Sequence, residues 1–402
     1  MKVVLLHPTF WPHAGGAEST MKQQATLLST HGHQVRVLTG SGEASSESYE
    51  VLCLEALHPD FELNQTVKRA VDHGQTDAHF HEFTARLTEL LKPHFSWADL
   101  VMDHGALTTP YNLSLTRAVW ELGEAHPLVV WAHDFAPSNH SHALPLADHH
   151  PWSMLKTLHP SAHYVAVSRR RQSELNEILK VPVERLHRIE PTVDWQDAFG
   201  TDPWFLPRME PWRLLDRDLV LYYPTKIMQR KKIDLAYEMT TAIRKSGLDA
   251  LLVVSGAPDP YQPANHQYRS YIESLAPMMG LEEHSCLLAK VFQDPLVAWQ
   301  QMFNFADVVL FTSGYEGFGL PAIEALLHRI PCWSTLDADV QGWPLSHVLK
   351  VSTPKEAVSA AESLMQDTVH VERRNCLRRQ VPSFLYTKEL LPMMQKVSAS
   401  AR

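Results

Sequence analysis

The chain has only four cysteines in 402 residues, Cys53, Cys286, Cys332 and Cys376, far apart and without paired spacing. That excludes a disulfide framework or a cysteine zinc cluster and points to a reducing compartment. No apolar run reaches the length a bilayer requires, so no transmembrane segment is expected. The apolar stretch Met1 to Leu6 is too short for a secretory leader and runs straight into His7-Pro8. A cytoplasmic protein is the expectation, with peripheral membrane contact left open. Positive charge is in deficit: 36 Lys and Arg against 45 Asp and Glu leave a formal net charge of -9. A broad basic face for nucleic acid is thereby excluded, but a local basic pocket for phosphates is not. Also missing are a Gly-x-Gly-x-x-Gly dinucleotide fingerprint and an Asp-x-Asp metal motif at a suitable strand end. Histidine is plentiful, at 24, with clusters at His140-Ser141-His142 and Asp148-His149-His150. They lack a His-x3-His spacing on a helical face, so they read as a solvated or substrate-facing loop, and no metal site is predicted.

What is present suits a globular α/β protein of two domains, with 45% hydrophobic and 20% charged residues. Lys2 to His7 is a continuous apolar run, as for a strand buried on both faces. The turn Gly15-Gly16 follows, then a helix to about His31 and a second strand, Gln34 to Thr39. That is a βαβ unit whose diglycine turn lies at the first strand's carboxyl end. Residues 60–93 read as helical. Asp99 to His104 and Leu128 to Asp134 read as strands, each ending in polar pairs, Asp103-His104 and His133-Asp134. Such pairs sit where open α/β sheets place ligand groups. A helix is expected from about Trp152 to Leu158. A further strand, His163 to Ser168, runs into a helix from Arg169 to Leu179. Residues 195–217 lack clean periodicity and read as the crossing between domains. Asp218 to Pro224 then restarts a strand, and Ala250 to Gly256 supplies the next. The second half thus repeats the βαβ logic of the first.

The most informative stretch is Phe311-Thr312-Ser313-Gly314-Tyr315-Glu316-Gly317-Phe318-Gly319-Leu320-Pro321-Ala322-Ile323-Glu324. A strand feeds a glycine-rich turn that opens a helix at Pro321, where a missing N–H is least costly. Glycines let N–H groups approach a ligand, and a helix N-terminus favours an anion. A carboxylate on either side, Glu316 and Glu324, is suited to paired hydroxyls. The layout fits a sugar nucleotide. The turn Thr225 to Lys232 concentrates Lys226, Arg230, Lys231 and Lys232 at a strand's carboxyl end in an otherwise acidic chain. Cations there would neutralise a diphosphate leaving group.

In order along nearly the whole chain, these pieces resemble the retaining glycosyltransferases of family four. The matching features are Gly15-Gly16, the His133 strand end and Val165-Ala166-Val167-Ser168. Glu190-Pro191-Thr192-Val193-Asp194, the basic turn and Glu316 to Glu324 complete the series. The resemblance implies a GT-B fold: α/β, two Rossmann-like domains facing across a cleft. The N-terminal acceptor domain would span 1–195 and be completed by a C-terminal helix at about 383–402. The nucleotide-sugar donor domain would span 196–382. By resemblance Glu324 would hold the ribose hydroxyls, Glu316 the transferred hexose, and the N–H groups of Gly319 and Leu320 the hexose and phosphate. Lys231 matches a diphosphate-binding lysine. Lys226 stands where the family has arginine, and Arg230 is an alternative. Gly16, with Gly15, would contact the diphosphate, and His133 would sit by the transferred sugar. Gly256 departs from the family's Gly-x-Gly turn, which leaves base contacts there open. Candidate acceptor residues are Asp103, His104, Tyr111, Asn112 and Asp134.

The implied co-substrate is a nucleoside diphosphate sugar, UDP-hexose or GDP-mannose, with no essential cofactor. The partner is a small-molecule or glycan acceptor, and the state a monomer or homodimer. A sugar-nucleotide epimerase and a silent sugar-nucleotide-binding protein remain the alternatives.

Overall fold

The structure is a computed structural model that describes residues 1–43, 48–73, 76–139, 148–193, 198–256, 263–292, 295–343, 346–379 and 384–400. The chain divides into two compact units, Met1–Asp194 with Pro382–Arg402, and Trp195–Val381. Each is a Rossmann-like unit built on one parallel sheet.

In the first unit the strands are β1 (Lys2–Thr9), β2 (Gln34–Ser41), β3 (Glu50–Cys53), β4 (Leu100–Asp103), β5 (Leu128–Ala132), β6 (His163–Ala166) and β7 (Leu186–Arg188). Their order in the sheet is β3-β2-β1-β4-β5-β6-β7, and every pairing is parallel. The helices that matter here are α1 (Gly16–Thr30), α2 (Glu62–Val71), α3 (Ala78–Trp97), α4 (Leu113–Gly123) and α5 (Arg169–Leu179). The continuous apolar run of β1 has the burial a parallel strand needs, with Val3, Val4, Leu5 and Leu6 all 0% exposed. Alternation along the strand splits that run between two layers. Val4 and Leu6 join the core beneath α2, α3 and α4, where Phe83, Leu87 and Val119 lie. Val3 and Leu5 join Met21, Ala25 and Leu28 of α1 together with Leu390, Met393, Met394 and Val397 from the end of the chain. That tail is π-helical over Leu385–Leu390 and α-helical over Leu391–Ser400. The Tyr386 hydroxyl also meets His33 Nε2 at 2.7 Å, and its ring stacks on His31.

Two local expectations need correction. Residues 60–93 are not one helix: α2 ends at Val71, and α3 restarts where Asp77 accepts the Phe80 N–H at 3.1 Å, an N-cap. The helix expected over 152–158 is a single short 3₁₀ stretch, Trp152–Lys156. Of the histidine clusters, His140 to His142 lie outside the described residues. No group of three metal-binding side chains comes together among the described residues.

The second unit holds β8 (Leu219–Tyr223), β9 (Ala250–Val254), β10 (Ser285–Leu287), β11 (Val308–Phe311), β12 (Cys332–Ser334) and β13 (Val348–Lys350). They are ordered β10-β9-β8-β11-β12-β13, again all parallel. Its helices include α6 (Ile233–Lys245) and α7 (Pro263–Met279). They continue with α8 (Leu320–Leu327), α9 (Pro354–Met365) and α10 (Thr368–Arg379). In both sheets the chain steps across itself beside the first strand: β1 lies between β2 and β4, and β8 between β9 and β11. Open α/β sheets bind ligands outside the carboxyl ends of the strands at such a switch point. Among the described residues no helix is long and apolar enough to cross a membrane.

Candidate active site

Because β8 and β11 are neighbours, the turns that follow them meet. Backbone and hydroxyl bonds stitch the two turns together. Thr312 Oγ1 donates to the carbonyls of Lys231 (3.0 Å) and Lys232 (2.8 Å), and the Tyr223 hydroxyl donates to Lys231 O at 2.7 Å. The Gly314 N–H donates to Arg230 O at 2.8 Å. The result brings residues some 85 positions apart into one cluster. Oε1 of Glu316 accepts from Lys231 Nζ, from Arg230 Nη1 at 2.8 Å and from Ser313 Oγ at 3.0 Å. Arg230 also donates to Tyr315 O at 2.9 Å. Burial works to raise the Glu316 carboxyl. Lys231, Ser313 and Arg230 together outweigh it and hold the group below the usual carboxylate range. Burial lowers the Lys231 ammonium, an effect that Glu316 partly offsets.

The glycine turn is shaped by packing. Gly319 has φ +86, and a Cβ there would lie 2.4 Å from Trp343 Cζ2 and 2.9 Å from Phe311 Cζ. Only glycine fits that conformation and that space. Trp343 Nε1 donates to Phe318 O at 2.6 Å, and its ring stands edge-on to Phe311. Gly319 therefore caps α8. In its first turn Pro321 has no N–H and the Ala322 N–H returns to Gly319 O at 3.1 Å, while among the described residues no backbone acceptor takes the Leu320 N–H. One turn inside, Glu324 is half-buried, and its Oε2 is buried with no donor. Burial raises its carboxyl above the ordinary value. An acceptor atom in that state is completed by an incoming hydroxyl pair.

In the first unit the strand ends gather imidazoles. His7 is on β1, His104 follows β4 and His133 follows β5, three adjacent strands. His104 Nδ1 and His133 Nε2 are 2.9 Å apart, and His104 stacks on Trp131. Burial, reinforced by the His7 charge, lowers His133 to about 3; burial, then His133 and His7, lowers His104 well below its ordinary value. Both rings are therefore neutral at physiological pH. Asp134 Oδ1 accepts the Phe135 N–H at 2.8 Å and is held by Asn139 (3.1 Å) and Arg171 (3.5 Å).

The segment 14–197 matches the model of Glycosyltransferase Family 4, and 209–337 matches that of Glycosyl transferases group 1. The chain belongs to the family 4 glycosyltransferases. Its two Rossmann-like units are those of the GT-B fold. Similar solved structures include WaaG, a glycosyltransferase involved in lipopolysaccharide biosynthesis (15% identity, 98% of either chain covered, TM-score 0.34). Sucrose-phosphate synthase from Thermosynechococcus elongatus has 16% identity, with 98% of this chain and 96% of that one covered, and a TM-score of 0.37. Anabaena HepE in complex with UDP and glucose has 15% identity, with 99% and 98% covered, and a TM-score of 0.35. No curated protein sequence gives a significant match.

In this glycosyltransferase the expected donor residues Arg230, Lys231, Glu316, Gly319, Leu320 and Glu324 fall on the two adjoining turns and α8. Lys226 is exposed and makes no ion pair among the described residues. The Gly256 N–H is already spent on Thr225 O at 3.0 Å. Gly15 caps α1 with extended backbone, and Gly16 begins the helix.

Two of the expected acceptor residues have structural work instead. Asp103 is 0% exposed, and its carboxylate accepts N–H groups of Gly105 (3.3 Å), Ala106 (2.8 Å) and Leu107 (2.9 Å). It shapes the loop after β4 and has no free oxygen for a ligand. Asn112 is 4% exposed and is the N-cap of α4, accepting the Leu115 N–H at 2.9 Å. Tyr111, 45% exposed, and Asp134 remain accessible. Sequence reasoning passed over Ser313, Thr312, Tyr223, Trp343, His7 and Glu18. Glu18 had a local signal, a carboxylate two residues past the diglycine turn. Trp343 had none, because it reaches Gly319 only through the fold.

Proposed function

We propose that the chain is a retaining hexosyltransferase that moves a glucose- or mannose-type hexose from a UDP- or GDP-sugar to a hydroxyl acceptor. The observation that carries this reading is the arrangement around Glu316: two cations on one carboxylate, beside the open N-terminus of α8 and the unpartnered Oε2 of Glu324. The donor's diphosphate takes Lys231, Arg230 and the Leu320 N–H at the start of α8, while the ribose hydroxyls donate to Glu324. Glu316, released from its cations, accepts from hexose hydroxyls. As the bond from the anomeric carbon to the diphosphate oxygen breaks, negative charge grows on the leaving group, where Lys231 and Arg230 stabilise it. The acceptor oxygen forms its bond on the face the diphosphate leaves, and its proton passes to a departing phosphate oxygen. The two glutamates are binders, unlike the nucleophile and acid of a hydrolase. His133 offers a hydrogen bond to the transferred sugar, and the acceptor docks on the first unit through Tyr111 and Asp134. No divalent metal is assigned a role.

The test is release of nucleoside diphosphate from a panel of UDP- and GDP-sugars with and without acceptors, with the anomeric configuration of the product read by NMR. Release with no donor tried overturns the reading, and an inverted product overturns retention.

A further inference from the structure

The N-terminus of α1 resembles an anion site, but the chain has filled it with its own anion. Glu18 lies in the first turn of α1, and its carboxylate folds back over the diglycine turn. A Cβ placed on Gly15 would lie 2.1 Å from Glu18 Oε2. Oε1 accepts from Thr9 Oγ1, at the end of β1, at 2.6 Å. Oε2 takes no donor among the described residues. The Tyr111 phenol feels this carboxylate and a second one: burial, then the charges of Asp134 and Glu18, holds it above its ordinary value. The accessible groups are thus two carboxylates, a phenol and a threonine hydroxyl, with neutral imidazoles behind them. Two cations in this region are committed: Lys22, one turn on from Glu18 in α1, holds its Nζ 3.8 Å from the Trp11 ring centre, and Arg171 bonds Glu174 at 2.5 Å, Ser138 at 3.0 Å and Asp134 at 3.5 Å. Arg170 pairs with Glu174 at 2.9 Å, which leaves Arg169, exposed on the first turn of α5, as the alternative seat for an anion.

We propose that Glu18 determines acceptor specificity: its free oxygen receives hydroxyl or ammonium donors, so the acceptor is a neutral or amine-bearing polyol and not a phosphorylated one. The inference rests on the first unit being the acceptor side of a transferase. A carboxylate is an acceptor only and pairs well with vicinal hydroxyls. Placed against a phosphate it works by like-charge rejection, a repulsive element that discriminates between otherwise similar ligands. It also cancels the attraction that a helix N-terminus exerts on an anion.

The experiment compares glucose, glucosamine and glucose 6-phosphate on the full chain. Binding is read by saturation-transfer NMR and turnover by nucleoside diphosphate release, at low and at 0.5 M added salt. For the native protein, glucose and glucosamine are expected to be engaged at least ~10-fold better than glucose 6-phosphate, the gap closing at high salt as exposed charges are screened. Glu18→Gln is expected to shrink the gap to within about threefold, and Glu18→Asp, which keeps the charge, to retain most of it. Melting curves show whether each variant is folded. Preference for the phosphorylated sugar, or a gap unchanged in Glu18→Gln, overturns the proposal. So does phosphate binding that is lost in Arg169→Ala. If none of the three sugars is engaged while donor is still hydrolysed to nucleoside diphosphate, the acceptor assignment falls and the transferase stands. If no donor releases nucleoside diphosphate, the transferase reading itself falls.

Discussion

At the carboxyl ends of β8 and β11, Arg230 and Lys231 converge on one oxygen of Glu316, and Lys226 and Lys232 lie in the same turn. At the carboxyl ends of β1, β4 and β5 stand His7, His104 and His133, all lowered by burial, with the carboxylates of Glu18 and Asp134 in front. Both ends are built on the same plan, a parallel sheet with its switch point beside the first strand. The plan supplies turns and N–H groups; the side chains at the strand ends set the sign of the charge and therefore the kind of ligand. On the proposed reading one end takes an anion and the other hydroxyl donors.

The sharpest way to break that contrast is Glu316→Ala. Turnover is expected to fall by ~10²–10³, the usual loss when one preorganised transition-state contact is removed. Affinity for the free nucleoside diphosphate is expected to rise, because Lys231 and Arg230 no longer have an internal partner. Steady-state kinetics and calorimetry read the two effects separately. Weaker nucleotide binding by the variant would show that these cations do not serve the diphosphate.

Next in size is Lys231→Ala, with an expected loss of nucleotide affinity of ~10–100-fold, about 1.5–3 kcal/mol for a charge-assisted bond. Arg230→Ala should follow it closely and Lys226→Ala should fall well short of both, since Lys226 is exposed and, among the described residues, is not one of the partners of Glu316. The reverse order of Arg230 and Lys226 would return the second diphosphate cation to position 226.

Glu324→Ala is expected to cost about tenfold in nucleotide affinity, the worth of one hydrogen bond to a charged group. It also carries a proton signature. Burial raises the Glu324 carboxyl above its ordinary 4.5, and hydroxyl donors from a ribose would stabilise the ionised form and lower it again. Nucleotide binding should then release protons in the window just above pH 4.5, seen as a buffer-dependent heat that Glu324→Ala abolishes. A heat identical in wild type and variant would count against the ribose contact.

The smallest effect concerns the first unit. Burial raises Asp103 to about 6 against the pull of the Leu107, Ala106 and Gly105 N–H groups. Its folded value lies above its unfolded one, so its contribution to stability is full below about pH 4 and is lost as pH rises through about 6. Asp103→Asn should flatten that slope in urea unfolding between pH 4 and 7. It should also cost ~1 kcal/mol, because an amide nitrogen cannot accept the Leu107 N–H. An undiminished slope would locate the titrating group elsewhere.

Much of the fold could be read from local pattern. The unbroken apolar runs at 2–6 and 219–223 announce strands covered on both faces, and each is central in its parallel sheet. The helix expected from Arg169 to Leu179 is α5 with those limits, and the structure shows what starts it: Ser168 Oγ accepts the Arg171 N–H at 3.1 Å. The edge strands β3, β7, β10 and β13 went unseen because three or four residues carry too little periodicity. Within the site, Glu316 and Glu324 were legible from the glycines between them. Asp103 and Asn112 misled for one reason: a polar residue at a strand end or in the loop beyond it looks the same whether its partner is a ligand or a nearby backbone N–H.

By itself, the sequence determined which segments become buried parallel strands, which turns need glycine or start a helix, and where cations and carboxylates cluster along the chain. These depend on residues within a few positions of one another. The tertiary structure decided the rest: that β8 lies beside β11 and so brings Lys231 to Glu316, that Trp343 closes on Gly319, and that Met394 fills the layer under β1. It also brought the Tyr111 phenol under the charges of Asp134 and Glu18. Strand order and burial bring those partners together across dozens to hundreds of residues, and no local pattern encodes a distance of that kind.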